Sequence, residues 1–149
     1  MRGFGDNPVS SPVPVALRRL VMRRANGVCE YCLVREQDSS LNFQVEHIIS
    51  EKHGGGTTSE NLACSCVFCN RFKGSDVSSI SPTTGQLVRL YHPRRDRWTD
   101  HFQINGPLIV PVTEVGEATA RLLRFNDDDR VLERKLLQAA RRYPNSTPG

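Results

Sequence analysis

The chain of 149 residues reads as an α+β protein: a small ββα core around a four-cysteine metal site, preceded by a helix and followed by a β-hairpin and two C-terminal helices. Three observations predict this. Two Cys-x-x-Cys pairs frame one segment. The apolar runs inside that frame are short and bounded by glycine and polar residues, as short strands require. The flanking segments instead repeat apolar residues at helical spacing.

Taken in order, residues 1–13 carry Gly, Ser, Asn and Pro and are expected to form a flexible arm. A helix is expected from about Pro14 to Asn26, with Leu17, Leu20 and Val21 on one face and Gly27 past its end. Its arginines, Arg18, Arg19, Arg23 and Arg24, read as a solvated face. The core, within residues 14–75, holds a "CEYC" knuckle, a strand around Phe43 to Ile49, a glycine-rich loop and a second strand, "NLACS". A helix from Val67 to Lys73 follows, ended by Gly74. Residues 76–149 read as an extension packed on the core within a single domain. In it, 76–84 is expected to be a linker, "GQLVRLYHPRRDRWTDHFQI" a strand, turn and strand, and "GPLIVPV" another short strand. Thr113 is placed to cap a helix with Glu114 and Glu117 in its first turn and Val115, Ala118, Leu122 and Phe125 on one face. A last helix, about Asp128 to Arg142, is expected to present Val131, Leu132, Leu136 and Ala139 as its apolar residues, and the final "TPG" to be disordered.

Composition narrows the classes. No run approaches the roughly 20 apolar residues of a membrane-spanning helix, and the N-terminus lacks the apolar stretch of a signal peptide. A cytoplasmic protein with no membrane partner is expected. The formal charge is +4, and 17 of the 20 basic residues are arginine, whose planar fork suits phosphate. That permits a polyanionic partner without requiring one.

Five cysteines in such a chain argue against a disulfide framework and for a metal site with one cysteine left over. Cys29/Cys32 and Cys66/Cys69 are two zinc half-sites, because thiolates three residues apart grip one side of a tetrahedral ion. Cys64 falls off that spacing and reads as a small buried hydrophobe on the second strand. Within the long insert between the pairs, "QVEHIIS" sets Glu46 beside His47. A regular strand would point them to opposite faces, so the strand is expected to bend or end near His47 for both to serve one site.

The order "CEYC … VEHIIS … HGGGTTSENLACSCVFCNRFKG", Cys29 to Gly74, resembles the HNH endonuclease family of the ββα-metal fold. The stretch "TGQLVRLYHPRRDRWTDHF" is similar to an extension that follows the core in a bacterial subgroup. The resemblance implies a metal-dependent endonuclease that hydrolyses phosphodiester bonds in DNA. His47 matches the general base, and a neutral imidazole suits that role at neutral pH. Glu46 and Asn70 match the residues that hold one divalent cation, Mg²⁺ or Mn²⁺. Asn61 matches the residue that ties the loop between the strands, while Arg71 and Lys73 follow on the helix where flanking DNA phosphates would lie. Three positions depart from the family's commoner pattern: Glu46 stands for Asp, Ser50 for Pro, and Asn70 for the final His. His53 reads as a loop residue, His92 and His101 as structural, and Trp98 and Phe102 as core of the extension. The alternative reading is a non-catalytic zinc-stabilised module that binds nucleic acid or another protein.

Overall fold

The computed structural model describes residues 12–146. Helix α1 (Val15–Arg24) begins after Pro14, a residue that suits a helix start because its fixed φ and missing N–H cost nothing there. Strands β1 (Gln44–His47) and β2 (Leu62–Ser65) pair antiparallel, with Glu46 opposite Ala63 and His47 opposite Leu62. Helix α2 (Val67–Lys73) follows directly, its Cys66 cap accepting the Cys69 N–H at 3.4 Å. This β1–β2–α2 unit is the ββα core, and α1 packs across both strands.

The extension departs from the sequence expectation in its pairing. Residues 78–80, read as linker, form β3 (Ser78–Ile80), which pairs with β4 (Leu87–Arg89). A short helix α3 (Trp98–His101) leads into β5 (Phe102–Asn105), which pairs instead with β6 (Leu108–Pro111). The expected strand-turn-strand is thus split between two hairpins. The cause is local: Ser81 closes a turn by accepting the Gly85 N–H and donating its own N–H to Gln86, which brings β3 against β4. Helix α4 (Glu114–Leu122) starts at Thr113, whose hydroxyl accepts the Gly116 N–H at 3.0 Å. Helix α5 (Asp128–Ala139) ends the regular structure.

One continuous core joins core and extension. Val21, Val28, Tyr31, Leu62, Phe102, Ile109, Leu123 and Phe125 are all fully buried and belong to the same cluster. Tyr91, Phe102 and Phe125 form a chain of edge-on ring contacts, with centroids 5.5 Å apart at each step. The expected face of α4 holds: Ala118 and Phe125 are buried, and Val115 and Leu122 pack against the cluster. The expected face of α5 does not. Leu132 and Leu136 are 56% and 63% exposed, while Arg130 and Arg134 are buried. The reason lies in what the guanidinium N–H groups of α5 meet: Cys69 sulfur and the Leu123 carbonyl for Arg130, with the Phe68 and Phe125 rings beside it, and the Pro107 carbonyl for Arg134.

Among the described residues, no helix is long and apolar enough to cross a membrane. The expected arm and tail fall on residues 1–11 and 147–149, outside the described residues, apart from Pro12 and Val13.

Candidate functional site

Two sites are built on and around β1–β2–α2. The first is closed. Cys29, Cys32, Cys66 and Cys69 bring four sulfurs within 4.8 Å of one another, all buried. A tetrahedral zinc with bonds near 2.3 Å sets sulfur–sulfur edges of about 3.8 Å, and Cys32 Sγ lies 3.7 Å from Cys66 Sγ. Burial pushes the Cys29 and Cys69 thiols up, whereas sulfur hydrogen bonds from Cys29, Cys66 and Cys69 pull Cys32 down. Metal binding requires the thiolate form, and a divalent ion would supply the positive charge that stabilises buried sulfurs held this close. Donor type, spacing and seclusion all fit zinc. Cys64 stands apart, buried on β2 with its thiol pushed up to about 12 by burial.

The extension reaches this site. Arg130 Nη2 donates to Cys69 Sγ at 3.1 Å, and its Nη1 donates to the Leu123 carbonyl at 2.6 Å. Burial would pull the Arg130 guanidinium down, but the sulfurs of Cys69, Cys32 and Cys66 hold it above its ordinary value. Tyr143 Oη donates to the Cys32 carbonyl at 2.8 Å, and Trp98 Nε1 to the Tyr31 carbonyl at 2.9 Å. Sequence reading placed Trp98 in the core but did not anticipate Arg130.

The second site is an open cleft of about 580 Å³. Glu46, His47, Asn70 and Arg71 line it, together with Ser50 and, from α1, Arg18. The ladder ends at His47. The next two residues are taken over by Asn61, whose carbonyl accepts the Ile48 N–H at 2.8 Å and whose Oδ1 accepts the Ile49 N–H at 2.9 Å. Asn61 Nδ2 also donates to the carbonyls of Ile49 and Gly56, both at 2.8 Å. The loop closes so tightly here that a Cβ on Gly55 would sit 1.8 Å from the Ile49 oxygen. Glycine is required for that approach.

His47 is anchored by its Nε2, 2.9 Å from Thr57 Oγ1 and 3.4 Å from Glu51 Oε1. Neither partner was read from the sequence, although Glu51 stands four residues after His47. Glu46 is buried, accepting a hydrogen bond from Tyr31 Oη on Oε1, with Lys73 Nζ 3.5 Å from Oε2. Burial pushes its carboxyl up, and Lys73 and then Tyr31 oppose that rise. Tyr31 hides in plain sight within "CEYC", where spacing draws attention only to the cysteines.

Lys73 corrects an expectation. It is 2% exposed rather than turned toward solvent, and its ammonium donates to the Ile48 carbonyl at 2.9 Å and the His47 carbonyl at 3.4 Å. An ammonium spent on the strand end is not available to a DNA phosphate. Arg71 is exposed at the cleft. Of the α1 arginines read as solvated, Arg24 instead donates to the Ser59 and Leu62 carbonyls, at 3.0 and 2.9 Å. His53 sits exposed in a turn, and His101 Nδ1 meets Thr113 Oγ1 at 2.7 Å.

Comparison with known proteins bears on the same segment. Residues 29–76 match the family model described as HNH endonuclease. The Septu protein PtuA of Bacillus mycoides (strain KBAB4) is 27% identical over 134 residues, covering 74% of this chain and 19% of that protein. The chain therefore spans about a fifth of the length of that curated relative. No solved structure matches. The cysteine frame, the loop and the ββα geometry all fall within the stretch that matches the HNH endonuclease model.

Proposed function

We propose that the protein is a metal-dependent endonuclease that hydrolyses DNA phosphodiester bonds. The observation that carries this reading is the convergence of Glu46, His47 and Asn70, from the strand end and the following helix, on one cleft. Glu46 and Asn70 offer a carboxylate and an amide oxygen, hard donors suited to Mg²⁺ or Mn²⁺. When bound there, such an ion neutralises charge on the scissile phosphate and the leaving 3′ oxygen.

The chain's own residues do the rest. With Nε2 engaged by Thr57 and Glu51, Nδ1 of His47 is the nitrogen left to take a proton from the attacking water. The Glu51 carboxylate then lies beside the Nε2–H of the imidazolium that forms. Asn61 fixes the backbone that carries the imidazole, and His47 cannot drift while those bonds hold. Arg71 and Arg18 add positive charge at two edges of the cleft, where DNA phosphates would approach. The structural zinc would hold the frame and take no part in the chemistry.

The test is direct. Purified protein should nick or linearise plasmid DNA with Mg²⁺ or Mn²⁺. His47→Ala should lower the rate by at least about 10²-fold while zinc content stays at the wild-type level. Equal rates for the two proteins would sink the nuclease reading. Salt-sensitive DNA binding without cleavage would favour a zinc-stabilised binding module instead.

A further inference from the structure

We infer that Tyr31 is a positioning residue for Glu46, so that the zinc knuckle itself sets the carboxylate offered to the catalytic ion. This rests on the proposed role of Glu46 and extends it to a residue outside the cleft.

The geometry is specific. Tyr31 lies between Cys29 and Cys32, both in the four-sulfur cluster, and is fully buried. Its backbone is pinned on both sides: the Trp98 indole donates to its carbonyl, and the preceding N–H, from Glu30, donates to the Cys64 carbonyl at 2.9 Å. Its ring is held edge-on against Tyr91, at 6.2 Å and 82°. A ring fixed at both ends can aim its hydroxyl at only one place, and that place is Glu46 Oε1. The other oxygen, Oε2, faces the Lys73 ammonium, which is itself tied to the His47 and Ile48 carbonyls. Glu46 is thus gripped from two sides, by the zinc knuckle through Tyr31 and by α2 through Lys73. A carboxylate oxygen has a second lone pair, so accepting the phenol still leaves capacity for an ion.

This arrangement gives the longer Glu side chain a fixed reach. Glutamate has one more rotatable bond than aspartate, and an unheld carboxylate would sample several positions. Partners of a ligating carboxylate typically contribute about 10- to 100-fold to metal affinity.

The experiment compares wild type, Tyr31→Phe and Tyr143→Phe, each with zinc bound. Tyr143 also touches the knuckle, through the Cys32 carbonyl, but does not reach Glu46, so it controls for general loosening. Mn²⁺ binding without DNA is read by electron paramagnetic resonance, and the Glu46 carboxylate carbon by ¹³C NMR without Mn²⁺. Tyr31→Phe should shift the Glu46 carboxylate resonance and weaken Mn²⁺ binding at least about tenfold, with zinc content unchanged. Tyr143→Phe should leave both readouts as in wild type. An unshifted resonance in Tyr31→Phe overturns the inference whatever the protein does to DNA. So does an unchanged Mn²⁺ affinity, or an equal loss in Tyr143→Phe. If wild type binds Mn²⁺ no better than Glu46→Gln, the nuclease reading fails, and the resonance still decides whether Tyr31 positions the carboxylate.

Discussion

Helices α4 and α5 are neighbours in the chain and bury opposite kinds of side chain. Helix α4 turns Ala118, Thr119 and Ala120 inward against the β3–β4 and β5–β6 hairpins and leaves Glu114 and Arg121 outside. Helix α5 turns Arg130 and Arg134 inward and leaves Leu132 and Leu136 outside. Both are amphipathic, yet only one follows the rule that the apolar stripe faces the core. The difference is the partner. Helix α4 meets the apolar side of the two hairpins, where Ile109 is buried, whereas α5 meets a thiol cluster and the Leu123 and Pro107 carbonyls. Where the interior already holds negative charge and orphan acceptors, a guanidinium is the better-fitting group, because it supplies several donors at once.

The largest test of this contrast is Arg130→Ala. It removes the donor to Cys69 and to the Leu123 carbonyl, leaving thiolate charge buried without its counter-cation. Breaking one side of a buried charged pair costs about 3–5 kcal/mol. Chemical denaturation of the zinc-loaded protein should show that loss, and zinc should leave faster on chelator challenge. Arg130→Ala as stable as wild type would mean the sulfurs need no cation from α5. Stripping zinc from wild type should act in the same direction, lowering the melting temperature.

Next in size is Gly116→Ala in α4. A Cβ at this position would meet the His101 carbonyl oxygen at 2.3 Å and Pro111 Cβ at 3.2 Å. Backbone cannot yield as a flexible side chain can, so overpacking should cost about 1–3 kcal/mol. Normally alanine improves a helix over glycine by up to about 1 kcal/mol. A stabilised Gly116→Ala would show that α4 sits less tightly on the α3–β5 corner than it does here. Thr113→Ala, which removes the cap of the same helix, should cost about 1 kcal/mol.

How much of this was legible in the sequence follows from the same contrast. Periodicity found α4 with its cap, because hydrocarbon packing is what periodicity encodes. The zinc cysteines were legible because ligand spacing is a local property, and the Glu46–His47, Asn61 and Asn70 order was legible through resemblance. The core face of α5 was not, since a pattern reader sees Leu132 and Leu136 and cannot see sulfurs more than sixty residues away in the chain. Lys73 failed for the same reason: a lysine one turn from Asn70 looks solvent-facing until β1 ends beside it with two free carbonyls. Tyr31, Thr57 and Glu51 were invisible because their roles come from tertiary contacts, not from spacing. The β3–β4 pairing was lost to a Ser- and Thr-rich stretch that reads as linker, yet needs only a turn at Ser81 to pair.

The smallest expected effect is also the one that most directly inverts a sequence reading. If α5 buried its leucines, Leu136→Ala would open a cavity and cost about 2–5 kcal/mol. With Leu136 63% exposed and Leu132 56% exposed, neither has a packed environment to lose. Exposed positions away from special features usually change stability by no more than about 0.5 kcal/mol. Leu132→Ser and Leu136→Ser, measured by urea denaturation beside Arg130→Ala, should therefore fall within that range. Both point the same way because one helix face decides both. A loss near 2 kcal/mol from either leucine, with Arg130→Ala neutral, would turn α5 over and return its apolar stripe to the core. The expected order, a costly arginine and two inexpensive leucines on one helix, is what an interior built around four sulfurs imposes.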